Sequence, residues 1–419
     1  MSSKEVIFFN IFNTVLGISL SIGAIYIILK DYRSNKFIKN NSNTILLSLF
    51  FLSCIISYLI NGNGFRKFNN IYFVIHSLLF FFVIMTLNKN VIEYKKLTNY
   101  TIMMFLTTLS LISLITILIF LSNKTGFTDT FKSNEMRNYF HFVAKEGDRW
   151  NTILKNSNTY AHLISMSFFL SIIPFITIKK NSIKASILIM TIFNVITLLF
   201  SGSKGAILAV ASGSFLLLIY ILTILYRQKK IKLVIAIISV CVLIPVTLTL
   251  LYKSNNEKIV KSFNLLLNKI LRVDAMGNGR VNTWKNLLSM DLFPNLWGYN
   301  DEYIYKFLKS KDDFFAKNFI NNSGRAHNII LQVMVSFGSI SLVLFISSLL
   351  KTVAQYFRNI KKIASEDKLY VYIFAIQFVT ILVGGMFEQL PLFNLSAHSL
   401  LFMFVWANLL TLTETNKQE

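Results

Sequence analysis

The chain has 419 residues, of which 54% are hydrophobic and 14% aromatic but only 15% charged, and its mean hydropathy is +0.57. This composition excludes an ordinary soluble domain and predicts an all-α polytopic integral membrane protein. The net charge of +23 does not point to nucleic acid, because the Lys and Arg residues sit mostly in short gaps between apolar runs, where they act as topology determinants.

Taking about 17–25 mostly apolar residues as one crossing, the chain holds about eleven transmembrane helices (ten to twelve). They fall at 6–29, 44–60, 71–87, 101–122, 158–178, 184–200, 205–226, 233–252, 328–350, 369–386 and 393–412. Lys4 and Glu5 precede the first run, which lacks a small-residue cleavage site, so it is expected to be a retained helix rather than a signal peptide. Cys54 and Cys241 both fall inside apolar runs and are expected to be small packing residues, not a disulfide or thiolate site.

Charge alternates along the gaps. The odd-numbered ones carry Lys30, Arg33, Lys36 and Lys39, then Lys89, Lys95 and Lys96, then Lys179, Lys180 and Lys184, then Arg227, Lys229, Lys230 and Lys232, then Lys351, Arg358, Lys361, Lys362 and Lys368. The short even-numbered gaps carry only Arg66, Lys67 and Lys204. The positive-inside rule then puts the odd-numbered gaps in the cytoplasm, with the N-terminus outside and the C-terminus cytoplasmic. The whole of 1–419 reads as a single transmembrane domain with two long extracytoplasmic loops, a smaller one at 123–157 and a large one at 253–326, between spans eight and nine. The large loop contains helix-like pieces, Glu257–Arg272 and Arg280–Met290, separated by the turn signal Met276-Gly277-Asn278-Gly279 with Asn278 as a plausible cap. No internal repeat is visible, which weakens a transporter reading.

Within this frame a few residues have the chemistry to handle an anion. Ser201-Gly202-Ser203-Lys204-Gly205 fills the very short gap before the seventh span. It reads either as a tight turn of small residues or as an anion site, since Lys204 stands at an outward helix N-terminus where the macrodipole disfavours a lone cation by some tenths of a kcal/mol. The same arrangement recurs at Arg325-Ala326-His327-Asn328, where the ninth span begins, with Ser323 or Asn322 able to cap it. Two outward helix N-termini with basic residues suit a phosphate or diphosphate. Arg280 lies four residues before Trp284, on one helical face, so a guanidinium and an indole could stand side by side; a snorkelling arginine beside a belt tryptophan is the alternative. His76, His162 and His398 fall within apolar runs and are expected to pack, and His141 to be solvated. His327 differs: nearby positive charge would hold its imidazole neutral, and a neutral imidazole can serve as a general base. No second ligand stands at metal spacing to it, so no metal is expected. Trp284, Trp297, Tyr299 and Tyr303 could stack on sugars or anchor at the interface. Glu388, at the outer end of the tenth span, is a candidate second base or a paired interface carboxylate.

Ser201–Gly205 opening a span, Gly279-Arg280 with Trp284, and Arg325-Ala326-His327-Asn328-x-x-Leu331-Gln332 with Gly338 together resemble the O-antigen ligase and polymerase superfamily. The order of apolar runs around one large outer loop extends the resemblance over most of the chain. The resemblance implies a metal-independent, cofactor-free glycosyltransferase that uses undecaprenyl-diphosphate-linked glycan at the outer face of the plasma (inner) membrane. By the same resemblance Lys204 and Arg280 hold the donor diphosphate and His327 assists the acceptor hydroxyl, with Arg325 sharing the anion. Trp284 and Asn328 are the expected sugar contacts. Lys204 departs from the family pattern, which usually has arginine there, and lysine keeps the charge without the bidentate fork.

Within the superfamily, a polymerase of O-antigen, capsule or exopolysaccharide repeat units is favoured over a ligase that transfers finished glycan. The expected partners are the lipid-linked donor, a glycan acceptor, the bilayer, and a flippase and chain-length regulator of the same pathway, with no nucleic acid. A lipid-linked oligosaccharide flippase is the alternative from another class; it should carry its ionisable residues nearer the bilayer midplane than this chain does.

Overall fold

The protein is described by a computed structural model over residues 42–61, 74–75, 77–85, 94–124, 157–237, 239, 278–292, 295–311, 326–387 and 397–414. Every regular element among them is helical: α1 (Ser42–Asn61), α2 (Tyr94–Lys124), α3 (Ser157–Ser167), α4 (Ile172–Thr177), α5 (Asn181–Phe200), α6 (Lys204–Arg227), α7 (Asn278–Leu288), α8 (Asp301–Lys311), α9 (Ile329–Asn359), α10 (Ser365–Gly385) and α11 (Ala397–Glu414). Among the described residues, seven helices are long and apolar enough to cross a membrane, at Asn43–Asn61, Tyr94–Leu118, Asn158–Thr177, Asn181–Phe200, Lys204–Arg227, Ile329–Lys362 and Ser365–Gly385. These match seven of the expected runs. An eighth, 393–412, corresponds to α11, whose 18 residues extend about 27 Å at 1.5 Å per residue. The expected span 71–87 is helical where described, at 74–75 and 77–85, and 233–252 is helical at 233–237 and 239, its remainder and all of 6–29 lying outside the described residues.

Polar side chains sort the helix ends into two groups. At one end Lys95 Nζ lies 2.7 Å from Asp367 Oδ1 and 3.5 Å from Glu366 Oε2, joining the starts of α2 and α10. The Tyr94 hydroxyl donates to the same Asp367. Asn99 donates to Thr177 at the end of α4, and Asn43 at the start of α1 donates to Gln355 near the end of α9. Gln355 and Asn359 in turn donate to Thr413 of α11. The described basic loops therefore gather at this end. The opposite end receives the finish of α1, the start of α6, the start of α9 and the finish of α10, and it carries the candidate site.

α11 is central rather than lipid-facing. Every residue from Leu401 to Thr413 is buried, as expected of a helix apolar on all sides. Trp406 is its keystone, packing on Phe402, Phe378 and Phe345 while its indole N–H donates to Thr352 Oγ1 of α9 at 2.9 Å. α1 runs along α9, with Ser53 and Ser341 hydroxyls 2.8 Å apart, and α6 lies so close to α10 that a Cβ on Gly213 would strike Thr380 and Phe169.

Two crossings are broken, each with a local cause. Between α3 and α4 the chain tightens into a 3₁₀ turn at Phe169–Ser171. Pro174, three residues on, has no N–H and its ring crowds the carbonyl four residues back, which ends a regular helix. Gln377 of α10 repairs the break: its Oε1 accepts from Phe169 N–H at 3.0 Å and its Nε2 donates to Ser165 C=O at 3.0 Å. The second break splits α9, which the sequence predicts as uninterrupted: Gly338 has φ 84° and ψ −179°, non-helical and open essentially to glycine alone. An irregular segment, Asn295–Tyr299, enters the gap and takes up the released backbone groups. Tyr299 N–H donates to Val335 C=O at 2.8 Å, and Ser339 N–H donates to Asn295 C=O at 3.1 Å. Asn61 Nδ2 and Ser57 Oγ secure the segment from α1 through the Trp297 carbonyl. Irregular backbone is tolerated at membrane depth only where protein satisfies it, as here.

Candidate active site

Short side chains allow a tight turn where α5 passes to α6. Ser201, Gly202 and Ser203 are buried, Gly202 takes φ 63°, and Ser203 N–H donates to Ser201 Oγ at 3.2 Å. Ser203 is the N-cap of α6 but makes no side-chain cap bond, and Lys204 follows as the first helical residue, partly exposed. A cation thus sits at the positive end of the helix dipole, where a bound anion would relieve the unfavourable arrangement.

The segment entering α9 is fixed by hydrogen bonds at Ala326 and Asn328, on either side of His327. Ala326 N–H donates to Gln332 Oε1 at 2.7 Å, and Trp284 Nε1 donates to Ala326 C=O at 2.7 Å. Each such bond contributes on the order of 1 kcal/mol. Asn328, not Ser323 or Asn322, is the N-cap, with Oδ1 accepting from Ile330 N–H at 3.0 Å and Leu331 N–H at 3.1 Å. This differs from the sequence expectation because the helix starts at Ile329, which makes Asn328 the residue that flanks its first turn; Ser323 and Asn322 lie outside the described residues. Asn328 Nδ2 also donates to Met386 C=O at 3.2 Å. Between these anchors His327 is held at φ 50°, a left-handed conformation uncommon for a residue with a Cβ. Strained backbone maintained by flanking bonds is a common property of functional positions.

The turn after α10 joins the two helix mouths. Met386 takes the bond from Asn328, while a Cβ on Gly205 would stand 2.7 Å from Phe387 Cβ. One two-residue turn therefore touches both the start of α6, beside Lys204, and the start of α9, beside His327. Trp284 adds α7 to the same cluster, and Arg280 lies in the first turn of that helix, one turn before Trp284. Arg325 and Glu388 lie outside the described residues.

His162 is the residue that sequence reading assigned only to packing and that the structure puts at this site. Its Nε2 lies 3.2 Å from a Cβ built on Gly205, and its Nδ1 3.2 Å from one built on Gly384, so the imidazole fills the floor between α6 and α10. Nothing in the local sequence of α3 signals this, because the neighbours are glycines far along the chain. Among the described residues, no three His, Cys, Asp or Glu side chains gather as metal ligands.

A family model described as O-antigen ligase matches residues 187–346. The matched stretch runs from α5 into α9 and includes Lys204, Arg280, Trp284, Arg325, His327 and Asn328. No curated protein matches the chain. The family match bears out the resemblance to the O-antigen ligase and polymerase superfamily and supports glycan transfer of that general type by a membrane-embedded enzyme.

Proposed function

We propose that this member of the O-antigen ligase and polymerase superfamily joins repeat units of a surface polysaccharide carried on undecaprenyl diphosphate, at the outer face of the plasma membrane. The observation that carries the reading is the Met386–Phe387 turn, which abuts Gly205 and accepts from Asn328, so that the mouths of α6 and α9 lie on one patch. Lys204, Arg280 and Arg325 bind the diphosphate and stabilise it as it leaves. His327 takes the proton from an acceptor sugar hydroxyl, whose oxygen forms the new bond to the anomeric carbon as the bond to the phosphate oxygen breaks. Attack opposite the leaving group inverts the anomeric centre. Trp284 holds the Ala326 carbonyl through its indole nitrogen and can still offer a ring face to sugar, while Glu388 is a second candidate base. A ligase would use the same chemistry on finished glycan and a different acceptor.

The test is a chromosomal knockout complemented with wild type, Arg280→Ala or His327→Ala at matched membrane abundance, with lipid-linked and surface glycans resolved on gels. Wild type should restore long polymer, and both variants should leave single lipid-linked repeats. Full-length polymer retained on the carrier in the knockout would instead assign a ligase. A knockout with unaltered glycans would sink both readings, and lipid-linked repeats trapped on the cytoplasmic face would assign a flippase.

A further inference from the structure

We propose that the stacked pair Tyr299–Tyr303 is a carbohydrate-binding platform that holds a sugar ring of the glycan away from the reacting end. The inference rests on the glycan-transfer reading and adds to it a binding surface outside the cation and histidine motifs. The two phenol rings lie 4.8 Å apart and within 8° of parallel, and the Tyr303 side of the stack is open, with that residue 50% exposed. A flat aromatic face held rigidly in water suits the C–H face of a pyranose, an apolar surface ringed by hydroxyls.

Tyr299 is fixed at both ends. Its hydroxyl donates to Asp291 C=O at 2.7 Å, just past α7, and its N–H donates to Val335 C=O inside the α9 break. Tyr303 is placed by the α8 cap, where its N–H donates to Asn300 Oδ1 at 2.7 Å. A prearranged stack loses little conformational freedom on binding, which favours affinity.

Water, not lipid, faces this platform. Glu302 and Lys306 flank Tyr303 on α8, their charged atoms 2.7 Å apart, with side chains 60% and 71% exposed. The hydrogen bond from Lys306 holds the Glu302 carboxyl below its ordinary range, so that carboxylate stays ionised at neutral pH. An exposed ion pair of this kind does not sit against hydrocarbon chains, whereas the buried face of α8, Ile304 and Leu308, points to the core. The polar rim supplies donors and acceptors to sugar hydroxyls. From Trp284, which touches the His327 segment, to Asp291, which holds Tyr299, is seven residues of mostly helical chain, about 10 Å at the helical rise. That distance is within the span of an oligosaccharide anchored at His327.

The experiment uses the full-length protein in lipid nanodiscs and, as probes, single-repeat oligosaccharides released by mild acid from the knockout strain's lipid-linked glycans and multi-repeat oligosaccharides released in the same way from the strain complemented with wild type. Affinity is measured by calorimetry and the contacted sugar by saturation-transfer NMR, for wild type, Tyr303→Ala, Tyr303→Leu and Tyr303→Trp. Tyr303→Ala should weaken binding about tenfold, Tyr303→Trp should restore it, and Tyr303→Leu should not. A larger loss for the multi-repeat probe assigns the platform to the growing chain; an equal loss assigns it to the single unit. Wild-type affinity in Tyr303→Ala, or full rescue by leucine, overturns the platform and leaves the glycan-transfer reading standing. Failure of the wild-type protein to bind either probe, together with unaltered glycans in the knockout, overturns both.

Discussion

Gly298 and Gly338 stand back to back: a Cβ built on Gly338 would lie 2.5 Å from the Gly298 amide nitrogen, and both residues have positive φ, 78° and 84°. Neither tolerates a side chain. Gly338→Ala should therefore cost at least about 2 kcal/mol from backbone strain alone, with the clash against Leu296 C=O added. Because Asn295–Tyr299 is hydrogen-bonded across the gap, the substitution should also release that segment from α9. Thermal unfolding of the purified protein in detergent, with the emission of Trp297 as a local probe, checks it. An alanine variant as stable as wild type would mean that the break in α9 does not depend on Gly338.

Gln377 closes the other broken crossing with two bonds to the backbone of Phe169 and Ser165, and it is fully buried. Gln377→Leu keeps the volume but leaves one N–H and one C=O unpaired. The expected loss is about 2–6 kcal/mol, from about 1–3 kcal/mol per orphaned group. Gln377→Glu retains an acceptor for Phe169 N–H and should fall between. A thermal-stability series on the three proteins measures the order, and a leucine variant equal to wild type would overturn the repair role.

How much of this the sequence displays depends on the range over which each feature is determined. Apolar runs are local, so 44–60, 184–200 and 205–226 coincide closely with α1, α5 and α6. Charge alternation is nearly local, and Lys95 does end up beside Asp367 in another basic gap. The break at Gly338 is not local, because one glycine in an apolar run reads as a tolerated residue until Asn295–Tyr299 is seen to fill the gap. Gln332 is a similar case: its place in the motif is explained only by its bond to Ala326 N–H. Whether a crossing faces lipid or the core depends on what surrounds it, so the central position of α11 is invisible in a run as apolar as its neighbours.

Gly205→Ala tests the junction between the two helix mouths. The added methyl would meet Phe387 Cβ at 2.7 Å and His162 Nε2 at 3.2 Å. Since Phe387 Cβ lies next to the backbone, α6 and the Met386–Phe387 turn must separate. Gly205 is helical with no positive φ, so the cost to folding should stay near about 1 kcal/mol. Product formation should fall by about tenfold or more, since small displacements of positioned groups strongly slow reactions. Membrane abundance by immunoblot and polymer by gel separate the two effects; normal polymer would show that the contact does not set the site geometry.

Lys204 is the sharpest test of the anion reading, because its charge and its shape can be varied separately. Lys204→Met keeps an unbranched apolar stem and removes the cation from the first turn of α6. If Lys204 only ends a turn, that change should leave product unchanged. If Lys204 holds diphosphate, it should cut product by about a hundredfold, the scale seen when one preorganised charge-stabilising contact is removed. Lys204→Arg restores the charge and offers two parallel donors to phosphate oxygens, so product should equal or exceed that of wild type. Polymer yield at matched membrane abundance, with stability measured on the same preparations, distinguishes the two: a methionine variant that is fully active would remove Lys204 from the site.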